Sequence, residues 1–100
     1  MAVLKPEEIR KRAAKLLGGV IWKAGKSAIR ADFTFANFSV ALAFVVRAGL
    51  EAEKADHHPD ILMHGYKRVR ITLSTHSEGG VTKKDFALAK KVSELAEEMK

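Results

Sequence analysis

Four histidines, no cysteine, and the run AEKADHHPD set the chemistry open to this chain. His57 and His58 are adjacent, with Asp56 before them and Pro59-Asp60 after; His76 follows in LSTHSEGG. An imidazole gives and takes protons near neutral pH, so these side chains suit general acid–base work. Asp56 and Glu53 are close enough in sequence to orient or charge an imidazole. Metal binding fits less well. Adjacent histidines point apart, and neither His-x-x-x-His nor Glu-x-x-His occurs, so no metal is expected. Without cysteine there is no thiol nucleophile and no disulfide framework. No Gly-x-Ser-x-Gly elbow is present, and Gly18-Gly19 and Gly79-Gly80 do not make a phosphate loop. From these residues alone, a proton-transfer site and a merely polar helix exit both stay open.

The flanking pattern says what must hold these groups in place. KPEEIRKRAAKLLGG reads as a helix: proline opens it, Glu7 and Glu8 meet its positive end, and Ile9, Ala13, Leu16 and Leu17 repeat at helical spacing before Gly18-Gly19. Val20, Trp22 and Ala24, then Ile29, Ala31, Phe33 and Phe35, alternate as two strands of a hairpin. NFSVALAFVVRAGLEAEKAD predicts a long helix capped by Asn37 or Ser39, with a stripe of Phe38, Leu42, Val45, Gly49 and Ala52. It must end before Pro59, which places His57 and His58 at its exit. DILMHGYKRVRITLSTH predicts two more strands turning at Gly65, with Val69, Ile71 and Leu73 on the dry face. VTKKDFALAKKVSELAEEMK closes the chain as a helix, with Thr82 and Asp85 spaced as a capping box. Trp22 is expected to be buried, Tyr66 to pack, and His64 to sit at a surface turn. The order α-β-β-α-β-β-α implies an α+β two-layer sandwich: a four-stranded antiparallel sheet with three helices on one face.

One hundred residues make a single domain, expected over residues 1–100. The net charge of +6 lies wholly in residues 1–30, since residues 31–100 hold ten basic and ten acidic side chains. That lopsidedness could serve an acidic partner, but no aromatics are interleaved for base stacking, so nucleic acid is disfavoured. No apolar run approaches the roughly 20 residues that span a bilayer, and the expected setting is cytoplasmic, away from membranes.

From Phe33 to Asp85 the chain resembles the pterin-4a-carbinolamine dehydratase family, also known as dimerisation cofactors of a homeodomain transcription factor. The matching pieces are FTFANF, AEKADHHPD, Tyr66, RITLSTH, Gly80 and Asp85, in ordered spacing. DILMHGY runs a residue longer than in some members. The resemblance implies a hydro-lyase that removes water from 4a-hydroxytetrahydrobiopterin to give quinonoid dihydropterin, in tetrahydropterin recycling. It implies His57, His58 and His76 as the catalytic trio. In that reading His57 and His76 move protons while His58 mainly holds substrate. Glu53, Asp56, Ser74, Thr75 and Asp85 are implied as pterin-binding, although capping accounts for Asp85 equally well. No cofactor is implied, because the pterin is the substrate. The implied partners are a second copy in a homodimer or homotetramer and, metabolically, an aromatic amino acid hydroxylase. The alternative is an oligomeric binding module or transcriptional coactivator that uses the fold without catalysis.

Overall fold

A computed structural model describes residues 2–15, 22–25 and 27–100. Its elements are α1 (Pro6–Ala14), β1 (Lys23–Ala24), β2 (Ile29–Thr34), α2 (Phe38–Ala55), β3 (Asp60–His64), β4 (Arg68–Leu73), a 3-10 turn at His76–Glu78, and α3 (Lys83–Met99). Leu16, Leu17, Gly18, Gly19 and Val20 lie outside the described residues.

Alternation along the strands builds the two layers. Ile29, Ala31 and Phe33 of β2 are buried while Arg30, Asp32 and Thr34 are exposed. The strands pair antiparallel in the order β1-β2-β4-β3. Register puts Ala31 opposite Ile71 and Ile71 opposite Ile61; it likewise puts Phe33 opposite Val69 and Val69 opposite Met63. Each row crosses the sheet on one side, so the core faces the helices and the other side stays polar. Ile9 and Ala13 of α1, together with residues of α2 and α3, join that same core. The expected sandwich is therefore the observed one.

Aromatic rings fasten the layers. Phe44 of α2 is fully buried, with its ring centroid 5.1 Å from Phe33 and 4.7 Å from Phe35. Trp22 is buried, meets Phe33 edge-on at 6.2 Å, and donates its indole N–H to Ser93 Oγ at 2.8 Å. That bond ties the edge of the sheet to α3 across 71 residues of sequence. Beneath the start of α3, Leu4 N–H donates to Val81 O at 2.7 Å, and a Cβ on Gly80 would lie 2.7 Å from Val3. Glycine lets the N-terminal segment close on the loop there, since any side chain would have to displace Val3.

Two expectations need correction. The buried face of α2 is Ala41, Phe44, Ala48 and Ala52; of the expected stripe, Ala52 is buried and Val45 packs against the core, whereas Phe38 and Leu42 face outward and Gly49 is half-buried. Apolar residues surround this helix, so spacing alone does not choose its inner face. Close packing against α3 and the sheet favours small side chains, which turns Phe38, Leu42, Val46 and Leu50 outward, at 52%, 45%, 56% and 59% exposure. Tyr66 does not pack in the core: it is 61% exposed, beside Lys67 in the β3–β4 turn, where Gly65 and Tyr66 both have positive φ. Asn37 is the cap of α2, accepting from Val40 N–H at 2.9 Å.

Phe44→Ala should cost about 3–5 kcal/mol of stability, the usual range for deleting a fully buried aromatic. Urea unfolding monitored by Trp22 fluorescence measures it; a loss below about 1 kcal/mol would contradict this view of the core.

Candidate active site

The chain leaves α2 through a left-handed residue. Asp56 has φ 50° and ψ 45°; its N–H bonds Glu53 O and the His57 N–H bonds Ala52 O, both at 3.1 Å. This closure reverses the backbone at the helix end. Aspartate tolerates the conformation better than most non-glycine residues. The two histidines consequently part company. His57 is buried, and His58 points to solvent with its side chain 64% exposed.

His57 Nε2 lies 2.5 Å from Asp85 Oδ1. Asp85 is fully buried in the first turn of α3. Its other oxygen, Oδ2, accepts from Thr75 Oγ1 and from Thr82 N–H, each at 2.9 Å. Thr75 Oγ1 has one hydrogen, given to Asp85, so it accepts from Thr82 Oγ1 at 2.7 Å. Thr82 Oγ1 in turn accepts from Lys84 N–H at 3.3 Å, completing the capping box. Capping and histidine orientation therefore fall to opposite oxygens of one carboxylate. No buried side-chain nitrogen or oxygen among the described residues is left without a partner. Because the carboxylate accepts, Nε2 of His57 carries hydrogen and the lone pair of neutral His57 sits on Nδ1.

The other expected residues are placed more loosely. His58 Nε2 bonds the exposed Glu53 Oε1 at 2.8 Å. That carboxylate raises the His58 pKa above 6.5, with Asp56 adding a smaller push in the same direction. Ser74 Oγ donates to Ser27 O at 2.7 Å, which fastens the β2 side of the sheet. His76 is exposed at the start of the 3-10 turn, one residue after Thr75. Asp56 is exposed and serves the turn. His64 ends β3 on the surface.

Sequence reasoning passed over two groups. Thr82 is a member of the buried network as well as a cap. Beside His57, a groove of about 530 Å³ runs between α2 and α3, lined also by Glu51, Lys54, Lys84, Leu88 and Lys91. The signal for it was the i, i+4, i+7 spacing of Lys84, Leu88 and Lys91, with Lys54 one turn ahead of His57. Among the described residues no three His, Asp or Glu side chains are gathered as a metal ion would require, and no helix is long and apolar enough to cross a membrane.

The model for the family described as pterin 4 alpha carbinolamine dehydratase matches residues 2–95. A protein of Afipia carboxidovorans, named "Putative pterin-4-alpha-carbinolamine dehydratase", is 47% identical over 96% of this chain and 95% of its own length. One of Sulfolobus acidocaldarius with the same name is 41% identical over 92% of this chain and 97% of its own. The crystal structure of a transcriptional coactivator/pterin dehydratase from Brucella melitensis superposes with a TM-score of 0.84 at 40% identity, covering 94% of this chain and 98% of that one. A pterin dehydratase-like RuBisCO assembly factor of the alpha-carboxysome shares the fold, with a TM-score of 0.64 at 22% identity over 79% of this chain and 90% of its own.

The Glu53–His58 pair gives a pH signature. A raised folded-state pKa means the pair's stabilisation is present below 6.5 and is lost as pH rises through the His58 pKa. The C2 proton of His58 should titrate above 6.5 by NMR and fall back toward that value in Glu53→Gln. An unchanged midpoint in the variant would rule out the pairing.

Proposed function

The chain belongs to the pterin 4 alpha carbinolamine dehydratase family, and on that premise we propose that it dehydrates a 4a-hydroxytetrahydropterin to the quinonoid dihydropterin. The observation that carries this reading is His57 held on the buried Asp85, with Thr75 on the same carboxylate and His76 next in the chain.

The chemistry asks little of a protein. The C4a–OH bond breaks as the lone pair of the neighbouring nitrogen forms a C=N bond, and that nitrogen loses its proton. A general acid protonates the departing hydroxyl and a general base takes the N–H proton; neither a nucleophile nor a resident cofactor is required. His57 suits the base, since Asp85 fixes its tautomer and stabilises the imidazolium that forms. His76, exposed on the turn, suits the acid. His58, held by Glu53, suits substrate contact, with Glu53, Asp56 and Ser74 contributing pterin hydrogen bonds, while Thr75 is buried with its hydroxyl committed to Asp85 and Thr82 and supports the carboxylate instead. Asp85 then acts through His57 as a positioning residue.

Loss of 4a-hydroxytetrahydropterin absorbance tests this directly. His57→Ala and His76→Ala should each lower kcat by about 10²–10⁴-fold. His58→Ala should chiefly raise KM. No acceleration over buffer by the unmodified chain would sink the assignment, and a kcat loss for His58→Ala as large as that for His57→Ala would sink the division of labour.

Self-association is part of the reading. Phe38, Leu42, Val46 and Leu50 recur every fourth residue along α2, all exposed. A ridge of this kind is self-complementary about a two-fold axis, where each residue meets its own copy or a neighbour's. A domain of this size also benefits from further burial. A dimer or a tetramer through α2 would moreover present the surface a coactivator needs, a second role favoured by the Brucella melitensis relative's description. Sedimentation should show an oligomer that becomes monomeric in Leu42→Glu, Leu50→Glu; a monomeric parent chain would overturn it.

A further inference from the structure

The groove beside His57 is lined mainly by positive side chains. Lys54, Lys84 and Lys91 line it against a single carboxylate, Glu51, which leaves a net charge of two positive. Glu51 reaches Lys54 at 3.5 Å, and among the described residues neither Lys84 nor Lys91 has an ion-pair partner within 4.0 Å. Among the acids nearby, Asp85 is turned into the core, Glu94 and Glu98 share a neighbouring cavity with Lys91 and Glu51, and Glu78 feels the charge of Lys84 without coming within 4.0 Å of it.

Lys84 is also misplaced for stability. It lies in the first turn of α3, where the helix dipole already presents positive charge. A cation there is unfavourable and an anion favourable. Lys84 at such a point, with Lys54 and Lys91 along a groove lined also by Leu88 and His57, suits a negatively charged ligand. A pterin with a neutral side chain would use none of them.

We propose that this groove binds a phosphate group on the side chain of the pterin substrate, with Lys84 and Lys91 as the phosphate-binding and specificity-determining residues. The inference rests on the dehydratase reading, which puts the pterin ring at His57. A phosphate monoester carries about 1.5 to 2 negative charges near neutral pH, so it matches the groove better than a carboxylate does. Apolar Leu88 and Ala87 would flank the carbon chain between ring and phosphate.

Neopterin and neopterin monophosphate, which are oxidised and cannot be dehydrated, separate binding from turnover. Titrations followed by pterin fluorescence should show the phosphate form binding at least about tenfold tighter, the scale of one charge-assisted hydrogen bond. That advantage should shrink as salt rises to about 0.5 M and vanish in Lys84→Gln, Lys91→Gln, while Lys67→Gln, on the far turn, keeps it. Circular dichroism checks that each variant is folded. Equal affinities for the two pterins, or an advantage that survives the double variant, would overturn the inference. If equal affinities come with dehydration of a neutral carbinolamine, the dehydratase reading stands without it; if neither pterin binds, the inference falls, and the dehydratase reading falls with it only where the carbinolamine is not dehydrated either.

Discussion

Asp85 is a carboxylate with no access to water, and the protein must supply every donor it needs. An unpartnered buried acceptor costs about 1–3 kcal/mol, and more if it is charged. Three donors meet it: His57 from the exit of α2, Thr75 from just beyond β4, and Thr82 at the cap of α3. These segments are far apart in sequence and converge on one side chain. The carboxylate therefore does for the polar end of the domain what Phe44 does for its core. It also makes the placement of the His57 imidazole inseparable from the fold, because the imidazole is one of its donors.

The same arrangement explains how two neighbouring histidines differ. A left-handed Asp56 turns the chain so that His57 enters the interior and His58 leaves it. His57 meets a buried carboxylate, which fixes the nitrogen that carries hydrogen. His58 meets an exposed one, which holds it protonated to higher pH without holding it still. One residue type thus gains two chemical characters from a single backbone dihedral pair.

Much of this was legible in the residues. Strand alternation, the helix break before Pro59, the cap spacing of Thr82 and Asp85, and the element order all follow from local rules that tertiary packing did not override. The parts that escaped were decided by three-dimensional competition. Both faces of α2 are apolar, so only contact with α3 and the sheet selects alanine over leucine for the inside. Tyr66 looked like a packing residue by type, yet its turn needs positive φ at two successive positions, which swings the ring into solvent. Asp85 read equally as cap or site because one oxygen was enough for the cap; only the fold brings His57 to the other. The lysine groove spans two helices, and neither helix alone announces it.

The outward face of α2 bears on the site as well. The helix fully buries only small side chains and Phe44, with Val40 and Val45 packed at the core's edge, so Phe38, Leu42, Val46 and Leu50 are left largely exposed. A surface covering Phe38, Leu42, Val46 and Leu50 would add the burial that those side chains lack, along the element whose last turn sets His57. Since the αL closure at Asp56 depends on that last turn remaining helical, whatever steadies α2 also steadies the His57–Asp85 bond. Under the proposed function, self-association and proton transfer would be coupled through one helix: the exposed apolar face lies along its length, and His57 leaves from its end.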